Sequence, residues 1–249
     1  MKGHALVTGG GTGVGRATAL ALAEAGWQVT VMGRRSAPLE AVAAEAPGVF
    51  AESADVTDFE GLGAAIERAQ TSRGPFEAVI ANAGLASSGP FHRLEPEALL
   101  EVTQVNLHGA MFTARHTVPG LRARKRGRLV FVASTAGLKG YPYVAHYCAA
   151  KHGVVGLMRA LALELAPHGV TCNAVCPGFV DTPLLEKSVA QIQAQTGRSA
   201  DEARSALAAS NPQGRLIAPE EVAAAVLYLV SEGAAAVNGH TLTLSGGEI

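Results

Sequence analysis

Short apolar runs alternate with stretches of helical periodicity along this chain. Ala5-Leu6-Val7, Gln28 to Met32, Val49 to Ser53, Glu77 to Ala81, Arg128 to Ala133, Val170 to Cys176 and Thr241 to Leu244 read as strands. Between them, Gly15 to Ala25, Leu39 to Ala46, Asp58 to Ser72, Pro96 to Arg115 and Tyr147 to Ala166 read as helices. Gly26 and Pro47-Gly48 supply stop signals for the first two. Strands that alternate with helices bury both faces of a parallel sheet. The pattern therefore predicts an α/β fold: one doubly wound Rossmann-type domain over 1–249, with about seven strands flanked by helices.

No linker, repeat or low-complexity segment interrupts the pattern. Leu184 to Arg215 is polar and helix-forming, broken at Gly197 and at Asn211-Pro212. It follows a strand end, where loops of such sheets hold ligands, so a substrate lid over 184–215 is expected.

Composition narrows the function. The 249 residues are 48% hydrophobic, enough for a full core, and the formal net charge of −1 favours neither nucleic acid nor a membrane surface as partner. No apolar run approaches the roughly 18 residues of a membrane span. A first strand at His4 leaves no room for a signal peptide, so the expected address is cytoplasmic. Cys172 and Cys176 share one face of a strand with Cα atoms roughly 13 Å apart, too far to bridge, and read as buried small residues. The basic run Arg122 to Arg128 lacks interleaved aromatics and reads as a solvated helix end, not an RNA-binding patch. His146 and His152 lack a second ligand at metal spacing, so no metal is expected.

Two motifs carry chemistry. Thr8-Gly9-Gly10-Gly11-Thr12-Gly13-Val14-Gly15 lies between the first strand and the first helix. Glycines there let the backbone approach a pyrophosphate, and the helix N-terminus supplies N–H donors. Tyr147 and Lys151 are four apart and share a helix face. A tyrosine with a pKa near 10 is a weak acid–base group at neutral pH, and a nearby ammonium is expected to lower it. Ser134, at a strand end, can donate to a substrate oxygen.

These motifs, with Tyr147-Cys148-Ala149-Ala150-Lys151, resemble the short-chain dehydrogenase/reductase family over essentially the whole chain, in particular its 3-oxoacyl reductases and 3-hydroxyacyl dehydrogenases. The resemblance implies a catalytic tetrad of Asn106, Ser134, Tyr147 and Lys151. Asn106 would kink a helix and hold a relay water for the lysine. The implied cofactor contacts are Gly9, Thr12, Gly13, Val14 and Gly15 at the phosphates, and Asp55 and Val56 at the adenine. Asn82-Ala83-Gly84 resembles most of a family motif, with Ala81 where a further asparagine is usual; that asparagine mostly stabilises the sheet. Pro177, Gly178, Val180 and Thr182 resemble the segment that closes over a nicotinamide, which Tyr147 and Lys151 also approach.

The second strand ends Met32-Gly33-Arg34-Arg35, without the carboxylate that accepts from an NAD ribose. Arg34 and Arg35 suit a 2′-phosphate, so NADP(H) is favoured, with NAD(H) as the alternative. Thr12 stands where NADP-selective members often carry a basic residue. Leu184, Leu185, Val189 and Ile192 suit a hydrophobic or acyl substrate, while Gln191, Gln193 and Gln195 add polarity. Gly197 to Ala206 and Asn211-Pro212-Gln213-Gly214-Arg215 are similar to members that act on 3-hydroxy acids and acyl thioesters. The expected reaction is hydride transfer between a nicotinamide and a carbonyl or secondary alcohol of the 3-oxoacyl/3-hydroxyacyl type. Reductases of cyclic or polyketide ketones, and a non-catalytic nucleotide-binding regulator, are the alternatives. Tyr141 and Tyr143 are read equally as substrate mouth or as packing. Helices Pro96 to Arg115 and Tyr147 to Ala166, with the tail Ser245 to Ile249, resemble family interfaces and imply a homotetramer.

Overall fold

Each apolar run read as a strand enters one sheet. A computed structural model describes residues 3–249, so Met1 and Lys2 of the predicted domain lie outside the described residues. The strands are β1 (His4–Thr8), β2 (Gln28–Gly33), β3 (Val49–Ser53), β4 (Phe76–Ala81), β5 (Gly127–Val132), β6 (Val170–Pro177) and β7 (Thr241–Leu244). They pair in the order β3-β2-β1-β4-β5-β6-β7, all parallel. Chain order reverses direction at β1 and β4, which opens a crevice beyond their carboxyl ends, where such sheets bind ligands.

Alternation within strands explains the two-sided core. Leu6, Leu129 and Phe131 face one apolar cluster, while Ala5, Val7, Val130 and Val132 face the other. Helices α1 (Gly13–Glu24), α2 (Ser36–Glu45) and α9 (Pro219–Val230) cover the second face. Helices α3 (Phe59–Arg73), α5 (Gly109–Arg124) and α6 (Ala145–Leu165) cover the first. Withdrawing each large aliphatic side chain from water contributes about 1.5–3 kcal/mol, so this burial fixes the strand ends that carry the site. Cys172 and Cys176 are free and fully buried in that first cluster, as their pattern suggested.

Two sequence expectations change. The stretch expected as one helix over 96–115 is α4 (Pro96–Thr103), a π-turn (Gln104–His108) and then α5, which runs on to Arg124 past Pro119. Asn106 explains the π-turn: its side-chain Nδ2 donates to Val102 O at 2.9 Å, the carbonyl its own backbone N–H would take in a regular helix. The basic run is solvated only through Arg126; Arg128 is buried in β5, held beside Gly127 O. The polar segment after Gly197 is helical, as its pattern suggested: helix α8 (Ala200–Ala208) starts at a capping box of Ser199 and Glu202. It packs on α7 (Pro183–Thr196) through a small apolar cluster of Leu185, Val189 and Ala203. No helix among the described residues is long and apolar enough to cross a membrane.

Candidate active site

The loop from β1 into α1 is held closed by its own backbone. A Cβ added at Gly15 would lie 2.2 Å from Gly9 O, so only glycine lets the helix start this close to the strand end. Asn82, just beyond β4, ties the loop down. Its Nδ2 donates to Thr8 O at 2.8 Å and Gly9 O at 3.3 Å, while the Asn82 and Ala83 backbone N–H groups donate to Thr8 Oγ1. Asn82 thus shapes the turn, and Ala81, where a second asparagine is usual, is simply buried at the end of β4.

On the other side of the crevice, Ser134 follows β5. Its Oγ accepts from Ala136 N at 3.1 Å and stands 3.5 Å from Pro177 O. Tyr147, in the first turn of α6, lines the same cleft as Ser134. Lys151, one turn on, is buried; its Nζ donates to Val132 O at 2.8 Å and lies 5.7 Å from the Tyr147 ring centroid.

This geometry corrects the lysine's part in the expected titration. Burial pushes the Tyr147 phenol up to about 12, against the opposing hydrogen bond with Ser134. Burial also pulls Lys151 down to about 8. The ammonium is directed at a carbonyl rather than at the phenol oxygen, so desolvation outweighs its attraction for the phenolate.

Asn106 donates from Nδ2 to Leu85 O at 2.8 Å as well as to Val102 O, while its buried Oδ1 has no hydrogen-bond partner among the described residues. A Cβ added at Gly84 would lie 2.8 Å from that oxygen and 3.8 Å from Lys151 Nζ. A buried acceptor and a buried ammonium therefore flank one gap, a setting that suits a water or a sugar hydroxyl.

All the residues expected as catalytic or cofactor-binding line a single cleft of about 690 Å³. Asn106, Ser134, Tyr147 and Lys151 share it with Gly9, Thr12, Gly13, Val14 and Gly15. Arg34, Arg35, Asp55 and Val56 line it too, as do Asn82, Ala83 and Gly84 and the roof residues Pro177, Gly178, Val180 and Thr182. Arg34 and Arg35 are exposed, beside the start of α2. Asp55 Oδ1 accepts from Thr57 N and Oγ1 at 2.9 and 2.8 Å. Thr182, the N-cap of α7, lies against the phosphate loop, since a Cβ at Gly13 would meet its Cγ2 at 3.0 Å.

Beyond Tyr147 the cleft is walled by residues the sequence reading did not single out. Leu85, Ala86 and Ser88 come from the segment after β4, Phe179 from the roof, and Ser188 and Leu207 from α7 and α8. Of the apolar residues expected there, Leu184, Leu185 and Ile192 line the cleft, whereas Val189 is spent in the α7–α8 core. Gln195 lines it too. Gln191 instead pairs with Ser88: the Ser88 hydroxyl donates to Gln191 Oε1 at 2.8 Å, and Gln191 Nε2 donates to Ser88 O. Arg204 of α8 pairs with Asp181 at 2.6 Å and with Glu186. Tyr141 and Tyr143 both line the mouth; Tyr143 is exposed and takes a positive φ of 65°. His146 is buried against Ser87 Oγ at 2.8 Å, and His152 Nδ1 bonds Cys148 O at 2.9 Å. No sequence signal marks the Ser88–Gln191 pair, because polar residues 103 positions apart carry no shared motif.

Comparison with known proteins gives the same picture over the whole chain. Residues 3–193 match the family described as short chain dehydrogenase. A candidate ketoacyl reductase of Streptomyces coelicolor is 37% identical, covering 98% of this chain and 95% of that protein. An acetoacetyl-CoA reductase of Rhizobium meliloti is 33% identical over 100% of this chain and 99% of its own length. The crystal structure of an actinorhodin polyketide ketoreductase with NADPH superposes with a TM-score of 0.95 at 35% identity, covering 98% of this chain and 96% of that one. With its parallel sheet, its phosphate loop and the Tyr147–Lys151 pair facing Ser134, the chain belongs to the short-chain dehydrogenase family of NAD(P)-dependent oxidoreductases.

Proposed function

We propose that this protein is an NADP(H)-dependent reductase of uncharged ketones of the 3-oxoacyl type, working through Tyr147, Ser134, Lys151 and Asn106. One observation carries the substrate reading. Among the described residues that line the cleft, the charged ones are Arg34, Arg35, Asp55 and Lys151, and none lies on the substrate side of Tyr147. A free carboxylate entering that end would lose water without a cationic partner, a cost of several kcal/mol. A thioester, ester or ring ketone avoids it. Lys139, beside the Tyr141 ring, is already paired with Glu248 at 3.0 Å.

The residues of the chain fit the cofactor. Gly9 to Gly15 and the start of α1 would hold its pyrophosphate, and Asp55 with Val56 its adenine. Arg34, Arg35 and the N-terminus of α2 at Ser36 would hold a 2′-phosphate, with no carboxylate at the end of β2 to repel it. Pro177, Gly178, Val180 and Thr182 would cover the nicotinamide, with Ala83 and Gly84 beneath the ribose. When bound, NADPH supplies a hydride to the carbonyl carbon.

The chain supplies the proton. Ser134 donates to the carbonyl oxygen and positions it. Tyr147, protonated at neutral pH because burial raises its pKa, gives that oxygen its proton as the hydride arrives. Lys151, still largely an ammonium below pH 8, stabilises the resulting phenolate and binds the ribose. Asn106 Oδ1 holds the water through which the phenolate recovers its proton. The protonation states favour reduction at neutral pH, since the reverse reaction needs the phenolate first. The segment 184–215 would close over the substrate as a lid, latched at Ser88–Gln191 and at Arg204.

A second reading, reduction of cyclic or polyketide ketones, has support in the likeness to the actinorhodin ketoreductase and uses the same uncharged end of the cleft. A homotetramer is the matching assembly, supported by Leu100, Met111 and Leu163, which stand exposed on α4, α5 and α6; light scattering tests it. A cytoplasmic address is the matching expectation.

The test is absorbance at 340 nm with NADPH and NADH in parallel, on 3-oxoacyl thioesters, 3-oxo esters and cyclic ketones. Turnover that Tyr147→Phe removes, faster with NADPH, supports the reading. Tight NADPH binding without turnover on any of them would move the assignment to a nucleotide-binding regulator.

A further inference from the structure

The C-terminal tail turns back into the protein beside the substrate end of the cleft. After β7, Ser245 O accepts from Glu248 N at 3.3 Å, and Ser245 Oγ from Ile249 N at 3.4 Å. The turn needs Gly246: its φ is 61°, and a Cβ there would lie 1.8 Å from Asn211 Oδ1. Asn211 is itself fixed, donating to Arg215 O and accepting from Gln213 N at 2.8 and 2.9 Å. The turn therefore aims Glu248 inward, and its side chain is only 7% exposed.

There the carboxylate collects two donors. Tyr141 Oη donates to Glu248 Oε1 at 2.7 Å, and Lys139 Nζ reaches the same oxygen at 3.0 Å. The Tyr141 oxygen also meets Thr135 Oγ1 at 2.7 Å. With its single hydrogen committed to the carboxylate, it accepts the threonine's hydrogen there. Tyr141 thus has no proton to offer a substrate. Its ring instead stands edge-on to Phe179, centroids 6.5 Å apart. Both rings, and Thr135 next to Ser134, line the cleft; Glu248 does not. The strand before the tail grips the same roof, since Gly178 N donates to Leu244 O at 2.9 Å.

We propose that Glu248 is a positioning residue for the substrate: through Tyr141 it fixes the Tyr141–Phe179 wall and so sets how the ketone lies against Ser134 and Tyr147. Charge and geometry both favour this role over plain packing. A buried carboxylate that neutralises Lys139 and takes a phenol hydrogen holds the ring by charge-assisted bonds, which are shorter and stronger than neutral ones. An apolar residue at 248 would fill space without orienting the ring. The kinetic part rests on the ketone-reductase reading; the structural part does not.

Two measurements test it. The first is a double-mutant cycle of Glu248→Ala and Tyr141→Phe, with Glu248→Gln as the conservative variant. Glu248→Ala should raise KM for the ketone about tenfold, the size expected when a hydrogen bond to a charged group is lost. KM for NADPH should stay unchanged. Glu248→Gln, which still accepts from Tyr141, should recover most of the loss. In the Tyr141→Phe background Glu248→Ala should add little. Independent, multiplying effects, or an equal rise in KM for NADPH, would overturn the proposal. The second is amide hydrogen exchange of the segments around Tyr141 and Phe179, read without substrate. Faster exchange in Glu248→Ala, restored in Glu248→Gln, supports the clasp whether or not any ketone is turned over. Unchanged exchange would sink it. A wild-type enzyme that turns over no ketone would count against the proposed function alone.

Discussion

At the phosphate end of the cleft, the turns are held at strand ends by a close backbone approach, Gly15 against Gly9 O, and by Thr8 and Asn82, whose side chains bond main-chain groups across β1 and β4. At the substrate end, the walls are joined by side chains, Ser88 to Gln191, Ser87 to His146 and Tyr141 to Glu248, and by the backbone bonds Gly89 N to Tyr143 O and Gly178 N to Leu244 O. The first end demands particular residue types, because only glycine permits those approaches. The second demands only that some donor meet some acceptor across 59 to 107 positions. One end is therefore set for a constant ligand, and the other can be rebuilt for a different ketone without touching the sheet.

The largest effect should fall where the two ends meet. Tyr147→Phe should lower ketone reduction by on the order of a thousandfold, within the range that general acid catalysis contributes. NADPH binding, followed by nicotinamide fluorescence, should survive. Loss of both would mean that the phenol is structural and the division into two ends is wrong.

Next comes the phosphate end alone. Arg34→Glu should raise KM for NADPH by about tenfold or more, through a lost charge-assisted bond and a new repulsion, and should leave KM for NADH nearly unchanged. Steady-state kinetics with both cofactors checks this. Equal losses for both would show that Arg34 does not face the 2′ position.

A pH profile separates the groups at the centre. Lys151, with its pKa pulled to about 8, holds its ammonium below that value and loses it above, while Tyr147, pushed to about 12, stays protonated throughout. Reduction should therefore be flat to about pH 7 and fall several-fold between pH 8 and 9. Alcohol oxidation should rise with pH instead. A reduction rate that climbs above pH 8 would contradict the assigned proton flow.

The smallest effect belongs to the substrate end. Gln191→Ala removes the two contacts with Ser88 and should raise KM for the ketone about threefold, as the loss of neutral hydrogen bonds would. The cofactor constants should not move, and initial-rate analysis distinguishes the two.

This contrast also explains what could be read from the sequence. The strands were legible because β1, β5 and β6 are buried on both faces and so are rich in apolar residues. The phosphate loop and the Tyr147–Lys151 spacing were legible because their chemistry restricts residue type and separation. The break in the helix over 96–115 was not, since nothing in the spacing shows the Asn106 side chain taking Val102 O in place of its own backbone N–H. The titration of Tyr147 was misjudged for a similar reason. Sequence places Lys151 on its face, but only the fold shows the ammonium buried and turned to Val132 O. Glu248 carried no signal, because its partner Tyr141 lies 107 positions away.

The central claim is that the substrate end accepts a ketone without charge. The most direct test is kcat/KM, with saturating NADPH, for a 3-oxobutanoyl thioester against free 3-oxobutanoate. The account predicts a preference of about a hundredfold or more for the thioester, because the free carboxylate would be desolvated without a partner. Equal rates, or a preference for the free acid, would reveal a cationic anchor at that end and contradict the account.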